Sequence, residues 1–449
     1  MGNRLASIDT TKGFGIFIMI LVHLFTQQIA QGNTSYFVPV VSQLHPLMFL
    51  ILVPLIVMGV WGSIFTLMTC LVITTQMLQL QLQPHPSKKK KLWMYLIGRI
   101  WSGTLLMVMY RLFRTLFGIV NPECQYKIVY GLNLIFSSET IDSIVLVGIL
   151  IPIVLLFVFR FPRLQTPRGF TIFFFLLGAI TLGLSALFIP WGRELCALLE
   201  SKELYILELI VSKFVYGRFK IVHTFSFGCL GAILGYWLHR DIPLKKLLLS
   251  TVFFFTFCLM FLGIFLLLDW TILLQFANVD IPIAIQVFNM GGQIALLTLF
   301  ISRLDNGSAK SRQRAGKRTV WLRRYGIISL TVFTVGTLLG EGLYWLFEGI
   351  IGPSIQISEL TLEPYLGWST LQLCIFMFAV ILSWEIILRL WEKLRFIPGI
   401  EWLMTILSVA LRFKKSRSLH IDDRLYYYRT LTEEEPLVEL PLLQSEIGS

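Results

Sequence analysis

Charge is scarce in this chain. Only 14% of its 449 residues are Asp, Glu, Lys or Arg, against roughly 25% in a soluble globular protein. The 56% that are hydrophobic exceed what an aqueous core can hide, which excludes an ordinary soluble domain. Cysteine is also sparse: six residues, with no CxxC pair and no metal-ligand spacing, so neither a zinc ribbon nor a dithiol redox centre is encoded. The strict apolar/polar alternation of half-buried strands is missing, and no clear internal repeat of the kind found in many transporters is visible.

What the sequence has instead is apolar blocks of about 20 residues, the length a helix needs to cross roughly 30 Å of hydrocarbon. Ten are expected, near 13–30, 47–80, 92–119, 143–160, 169–190, 221–238, 247–268, 282–302, 325–347 and 367–389. The second is too long for one upright helix and is expected to tilt, or to break near Gly59 and Gly62. The expected fold is all-α: a polytopic helical bundle of ten transmembrane helices in a lipid bilayer.

Orientation follows from Lys and Arg, which collect in short cytoplasmic loops. Every second loop is basic, at Lys88–Lys91, at Arg160, Arg163 and Arg168, at Arg240, Lys245 and Lys246, and along 303–324. The loops at 31–46, 269–281 and 348–366 contain neither residue. This pattern puts both termini in the cytoplasm, with a membrane domain over 1–412 and an unstructured cytoplasmic tail over 413–449. The mixed outer segment at 191–220 reads as an amphipathic helix lying on the outer surface. The net charge of +12 therefore sets topology, and no nucleic-acid partner is expected. No cleavable signal precedes the first span, which is expected to serve as its own anchor. Cys124 and Cys196 both fall in outer loops, where a disulfide is one outcome.

An ionisable or strongly polar side chain inside a span costs a few kcal/mol, so each needs a partner or a task. In the first span Lys12 and His23 are eleven residues apart. Eleven steps of about 100° return to nearly the same face about 16 Å further on, and Gln27 extends that stripe by one turn. Lys12 can simply snorkel to lipid phosphate and His23 can be a packing histidine. The eighth span carries Gln286, Asn289 and Gln293 on one face, which must meet protein or water and not lipid. Asp142, His223 and Glu341 lie by topology in the outer halves of their spans. Helix-to-helix hydrogen bonding or interfacial anchoring explains each singly; taken together they suggest a polar substrate cavity of Gln27, Asp142, His223, Asn289 and Glu341, open to the outside. Gly228, Gly231 and Gly235 make a stripe that another helix can approach closely. Glu385 and Arg389, spaced i, i+4, are expected to pair. No metal site is expected.

The run from Arg4 through Ser7-Ile8-Asp9 and Lys12-Gly13 to His23 resembles the opening of the transmembrane acyltransferase superfamily, which includes the acyltransferase 3 proteins and heparan-alpha-glucosaminide N-acetyltransferase. Lys12 stands where the family usually has Arg, which keeps the charge and loses the bidentate fork. His23 falls on the family's His position. Arg99 looks like the basic start of the family's third helix, and Pro398-Gly399-Ile400-Glu401-Trp402 is similar to a Gly-x-Glu-Trp element after the last span. The resemblance implies acetyl-CoA, or another acyl-CoA, as donor, docked at the cytoplasmic mouth on Lys12 and Arg99. It implies His23 as catalytic base or acyl carrier, with His45, in the region after the first span, as second choice. The acceptor would be an outward-facing carbohydrate or lipid-linked sugar, served by a monomer or a homodimer. A transporter or flippase, or a catalytically inactive relative with the same fold, is the alternative.

Overall fold

A computed structural model of the chain describes residues 5–29, 43–46, 62–82, 88–120, 140–216, 219–269, 272, 281–358, 364–410, 419 and 421–426. Among them ten helices are long and apolar enough to cross a membrane, as the hydropathy requires. In chain order the helices are α1 (Ala6–His23, continued as a π-helix over Leu24–Ile29), α2 (Ser63–Leu82), α3 (Lys88–Val120), α4 (Thr140–Val158) and α5 (Pro167–Ser201). They continue with α6 (Tyr205–Val215), α7 (Ile221–His239), α8 (Leu244–Leu268), α9 (Ile283–Phe300, continued as a π-helix over Ile301–Asp305), α10 (Ala309–Arg318) and α11 (Val320–Ile327). The last are α12 (Ser329–Ile351), α13 (Thr370–Lys393), α14 (Ile400–Ala410) and α15 (Ile421–Leu425). A two-stranded antiparallel hairpin, β1 (Ile355–Ile357) and β2 (Pro364–Leu366), separates α12 from α13.

Local chemistry sets the helix ends. Thr166 caps α5 by accepting from the Gly169 amide, with Pro167 at the first helical position. Ser369 and Gln372 form a reciprocal capping box on α13. At α12 the carboxylate comes from elsewhere: Glu401 accepts from the Leu330 and Thr331 amides and from the Thr331 hydroxyl. The Gly-x-Glu-Trp element therefore ties α14 to the start of α12, where the helix dipole favours an anion. Burial nevertheless pushes the Glu401 carboxyl above its ordinary range, against the lowering effect of those bonds.

Close packing follows glycine. The stripe on α7 receives α2: a methyl group at Gly231 would stand 2.2 Å from the Leu67 carbonyl oxygen, and one at Gly235 2.5 Å from that of Leu71. The first helix has a similar seam with α11, where a methyl at Gly13 would stand 1.7 Å from the Leu322 oxygen and one at Gly326 1.9 Å from that of Asp9. The basic stretch read as a loop over 303–324 is thus helical, and part of it lies backbone against backbone on the first span. Arg323, within it, is fully buried and donates to the carbonyls of Gly316 and Leu425.

Two further expectations change, and a third lies partly outside the described residues. The apolar run at 47–80 has its described helix only from Ser63, and residues 47–61 lie outside the described set. The mixed segment 191–220 begins inside α5, which runs 35 residues through Pro190; the amphipathic helix is α6, folded back so that Val215 packs over Gly192. Its apolar Ile206 and Ile210 are exposed while Lys213 points inward. The tail read as unstructured from 413 contains α15, whose Leu425 is fully buried and whose Arg424 grips Asp9 through two hydrogen bonds of 2.9 and 3.0 Å. Cys196 is a buried free thiol, and Cys124 lies outside the described residues.

The contacts define two ends of the bundle. The Ala6 amide donates to Asp305, Tyr95 to Gln76, and Tyr236 and Trp237 to Gln165 and Thr171. These contacts gather the basic segments at one end, hereafter the basic end. The far end holds the first turn of α4, helix α6, the π-turn after α1 and the β-hairpin.

Candidate functional site

The residues singled out by sequence fall into three neighbourhoods. The first is the far end of α1. His23 is half-buried in a helix whose neighbours Val22, Leu24 and Phe25 are nearly inaccessible. Immediately after it the backbone widens from α to π, a change frequent at functional positions. By helix rise His23 stands about 25 Å from Ala6, near the opposite side of the bilayer core. Gly340 of α12 packs over this π-turn: a methyl there would come 3.0 Å from Leu24 and 3.5 Å from the Gln28 amide. Glu341 follows, half-buried. Ser354 donates to the Ile29 carbonyl at 3.0 Å and bonds Tyr344, tying the π-turn to the start of the hairpin. His45 is exposed on the segment held to that hairpin by Gln43, which accepts from the Leu366 amide at 2.9 Å. Gln27 is on the π-turn itself, with its side chain outside the described set.

The second neighbourhood is the far end of α3, α4, α5 and α7. Asp142, fully buried, does not stand open to a ligand. Arg111 chelates its two oxygens at 2.7 Å each, and Lys213 of α6 reaches one of them at 3.2 Å. The flanking Ser143 donates to the Phe219 carbonyl. His223 faces Ser185 at 2.9 Å. Neither partner is marked by a local pattern in the sequence: Arg111 and Lys213 lie 31 and 71 residues from Asp142.

The third neighbourhood is the interior and the basic end. Lys12 of α1 is half-buried. Arg99 does not open its helix. Because α3 begins at Lys88, Arg99 lies eleven residues in, about 16 Å deep, with its guanidinium over Gly148 at 3.3 Å from a would-be Cβ. Its Nε is buried with no hydrogen-bond partner among the described residues, so one strong donor is available at mid-depth. Asn289 is fully buried. Its neighbour on the same face, Gln293, donates to Ser63 of α2 at 2.9 Å, so that polar stripe meets protein.

The basic end is closed by paired charges. Arg324 bonds Glu392 at 2.7 Å and Glu385 at 3.2 Å, and Glu385 also accepts from Arg389 at 2.7 Å, the expected i, i+4 pair. Tyr426 donates to Glu392. Burial opposes the Arg324 charge, yet the bond and charge of Glu392, with Glu385 behind it, hold its pKa above the ordinary value. Among the described residues no cluster of His, Cys, Asp and Glu could hold a metal ion. Comparison of the chain with protein-family models, with characterised proteins and with solved structures returns no match.

Proposed function

We propose that the chain is a membrane-embedded acyltransferase of the transmembrane acyltransferase superfamily, moving an acetyl or other acyl group from cytoplasmic acyl-CoA to a carbohydrate or lipid-linked sugar at the opposite face. The observation that carries this reading is the switch of α1 from α- to π-helix directly after His23. A half-buried imidazole at that point, with the Gly340–Glu341 stretch of α12 on the widened turn, is suited to proton transfer near neutral pH. In this reading His23 takes the proton of an acceptor hydroxyl or amine, the acceptor atom bonds to the thioester carbonyl carbon, and the carbon–sulfur bond breaks. The proton then passes to the departing thiolate. Lys12 and Arg99 would hold donor phosphates on the route inward, and the spare Nε of Arg99 supports that role. Both chain ends would be cytoplasmic, with acyl-CoA arriving from the basic end.

The test is donor binding and transfer by purified protein in proteoliposomes supplied with acetyl-labelled acetyl-CoA. Arg99→Ala should weaken donor binding about tenfold, as loss of a charge-assisted contact of roughly 1.5 kcal/mol does, and Lys12→Arg should preserve it. Binding that is equal in the parent and the Lys12→Ala/Arg99→Ala double variant at low salt, where screening is least, removes the donor site. No transfer with any acyl donor turns the reading toward a transporter or an inactive relative.

A further inference from the structure

A groove of about 570 Å³ opens at the basic end between the start of α5 and the α7–α8 turn, lined among others by Gln165, Thr166, Pro167, Arg240, Pro243 and Lys246. Its volume lies in the range of small-molecule sites. The cations here differ from the buried arginines of this end. Arg424, Arg324 and Arg323 are each taken up by protein oxygens. Arg240 has instead only the face of Tyr236, 5.5 Å from the ring centre. Neither Arg240 nor Lys246 has an ion-pair partner among the described residues, and Asp241, next in the turn, does not line the groove. The side-chain oxygen of Thr166 is committed to its own helix cap and the Gln165 amide to the Phe159 carbonyl, so both form wall. The prolines at the starts of α5 and α8 make that wall stiff and partly apolar. Below the groove α5 and α8 present exposed apolar side chains, Ile172 and Phe175 on one and Leu249 and Phe253 on the other. Two uncompensated cations above two lipid-facing helices match an amphiphile with an anionic head.

We infer that this groove is a binding site for the phosphate headgroup of an anionic phospholipid in the leaflet at the basic end, its acyl chains lying along α5 and α8. The site is independent of acyl transfer and needs no donor to be present. It gives the otherwise unused cations of the α7–α8 turn a counter-ion. It also fixes the height of these two helices relative to the interface.

The experiment is native mass spectrometry of the purified full chain, exchanged into mixed micelles of phosphatidylglycerol and phosphatidylcholine. The parent should retain phosphatidylglycerol preferentially. Arg240→Gln with Lys246→Gln should reduce its affinity about thirtyfold, since each basic contact to an anionic headgroup is worth roughly a factor of five. The helical circular dichroism and the thermal transition should stay unchanged. Lys89→Gln with Lys90→Gln, which removes two exposed cations outside the groove, should keep the preference. A parent without headgroup preference overturns the site, and so does an equal loss in the Lys89/Lys90 variant, which would mean diffuse charge only. Displacement of the lipid by millimolar inorganic phosphate or by coenzyme A would assign the groove to soluble phosphate and overturn the lipid assignment.

Discussion

The two ends of the bundle bury charge in different ways. At the far end one carboxylate, Asp142, holds two cations, Arg111 and Lys213, which reach it from α3 and α6. At the basic end the charges are paired across the chain. Asp9 holds Arg424, 415 residues away in sequence, and Glu385 and Glu392 share Arg324. The difference teaches where each end is vulnerable: at the far end two cations bond the same carboxylate, while the basic end spreads its pairs over several carboxylates.

The largest expected effect follows from the first half of that contrast. Asp142→Asn keeps the shape and removes the carboxylate that both Arg111 and Lys213 bond, which should cost about 3–5 kcal/mol. Thermal unfolding in detergent should show it. Adding Lys213→Met should restore part of the loss, because one of the two buried cations that Asp142 holds is gone. If the single variant unfolds with the parent, the triad is not what holds α6 to α4.

A smaller effect is expected at the basic end. Arg424→Ala removes the guanidinium that bonds Asp9, a single pair, so about 3 kcal/mol is at stake, the lower edge of the range for broken buried pairs. The consequence should be local, with trypsin cutting the tail faster after Arg429 while the main transition moves little. The exchanged pair Asp9→Arg with Arg424→Asp should slow cleavage again relative to either single change. Equal cleavage in all four proteins would show that α15 is not docked through this pair.

The smallest effect concerns pH. Burial raises the Glu401 pKa, so the folded state binds this proton more tightly than the unfolded state does. Its contribution to stability is therefore highest below the ordinary carboxylate range and declines as pH rises from there through the raised folded value. Glu401→Gln should flatten that part of the stability–pH curve. It should also lower stability by about 1 kcal/mol where one acceptor to α12 is lost. An unchanged slope would locate the pH dependence in another group.

Much of this architecture was legible because hydropathy reports on one helix at a time. Ten spans, the Gly228–Gly235 stripe and the Glu385–Arg389 pair all depend on residues within a few turns of each other. What escaped depended on partners far apart in the chain. Composition makes 303–324 a solvated loop; only the mutual approach of Gly13 and Gly326 turns part of it into a helix on the first span. Asp9 stood in the opening motif without a role because its partner is in the tail. For the candidate site, periodicity put Lys12, His23 and Gln27 on one face of α1. It could not say that α12 brings Glu341 to the same turn, or that Asp142 is already neutralised by Arg111 and Lys213 and so is a poor cavity residue. Nor does any residue pattern in the first span announce the π-turn after His23, which Gly340 and Ser354 contact from far along the chain.

The central claim is that the half-buried imidazole at this α-to-π junction carries the chemistry, and transfer by His23→Gln protein tests it most directly. Glutamine keeps hydrogen-bonding capacity and cannot accept a catalytic proton near neutral pH. The account predicts a variant that folds and binds acyl-CoA like the parent, yet transfers the acyl group about 10²- to 10⁴-fold more slowly. Transfer at the parental rate would contradict it, leaving His23 a packing residue and passing the role to His45.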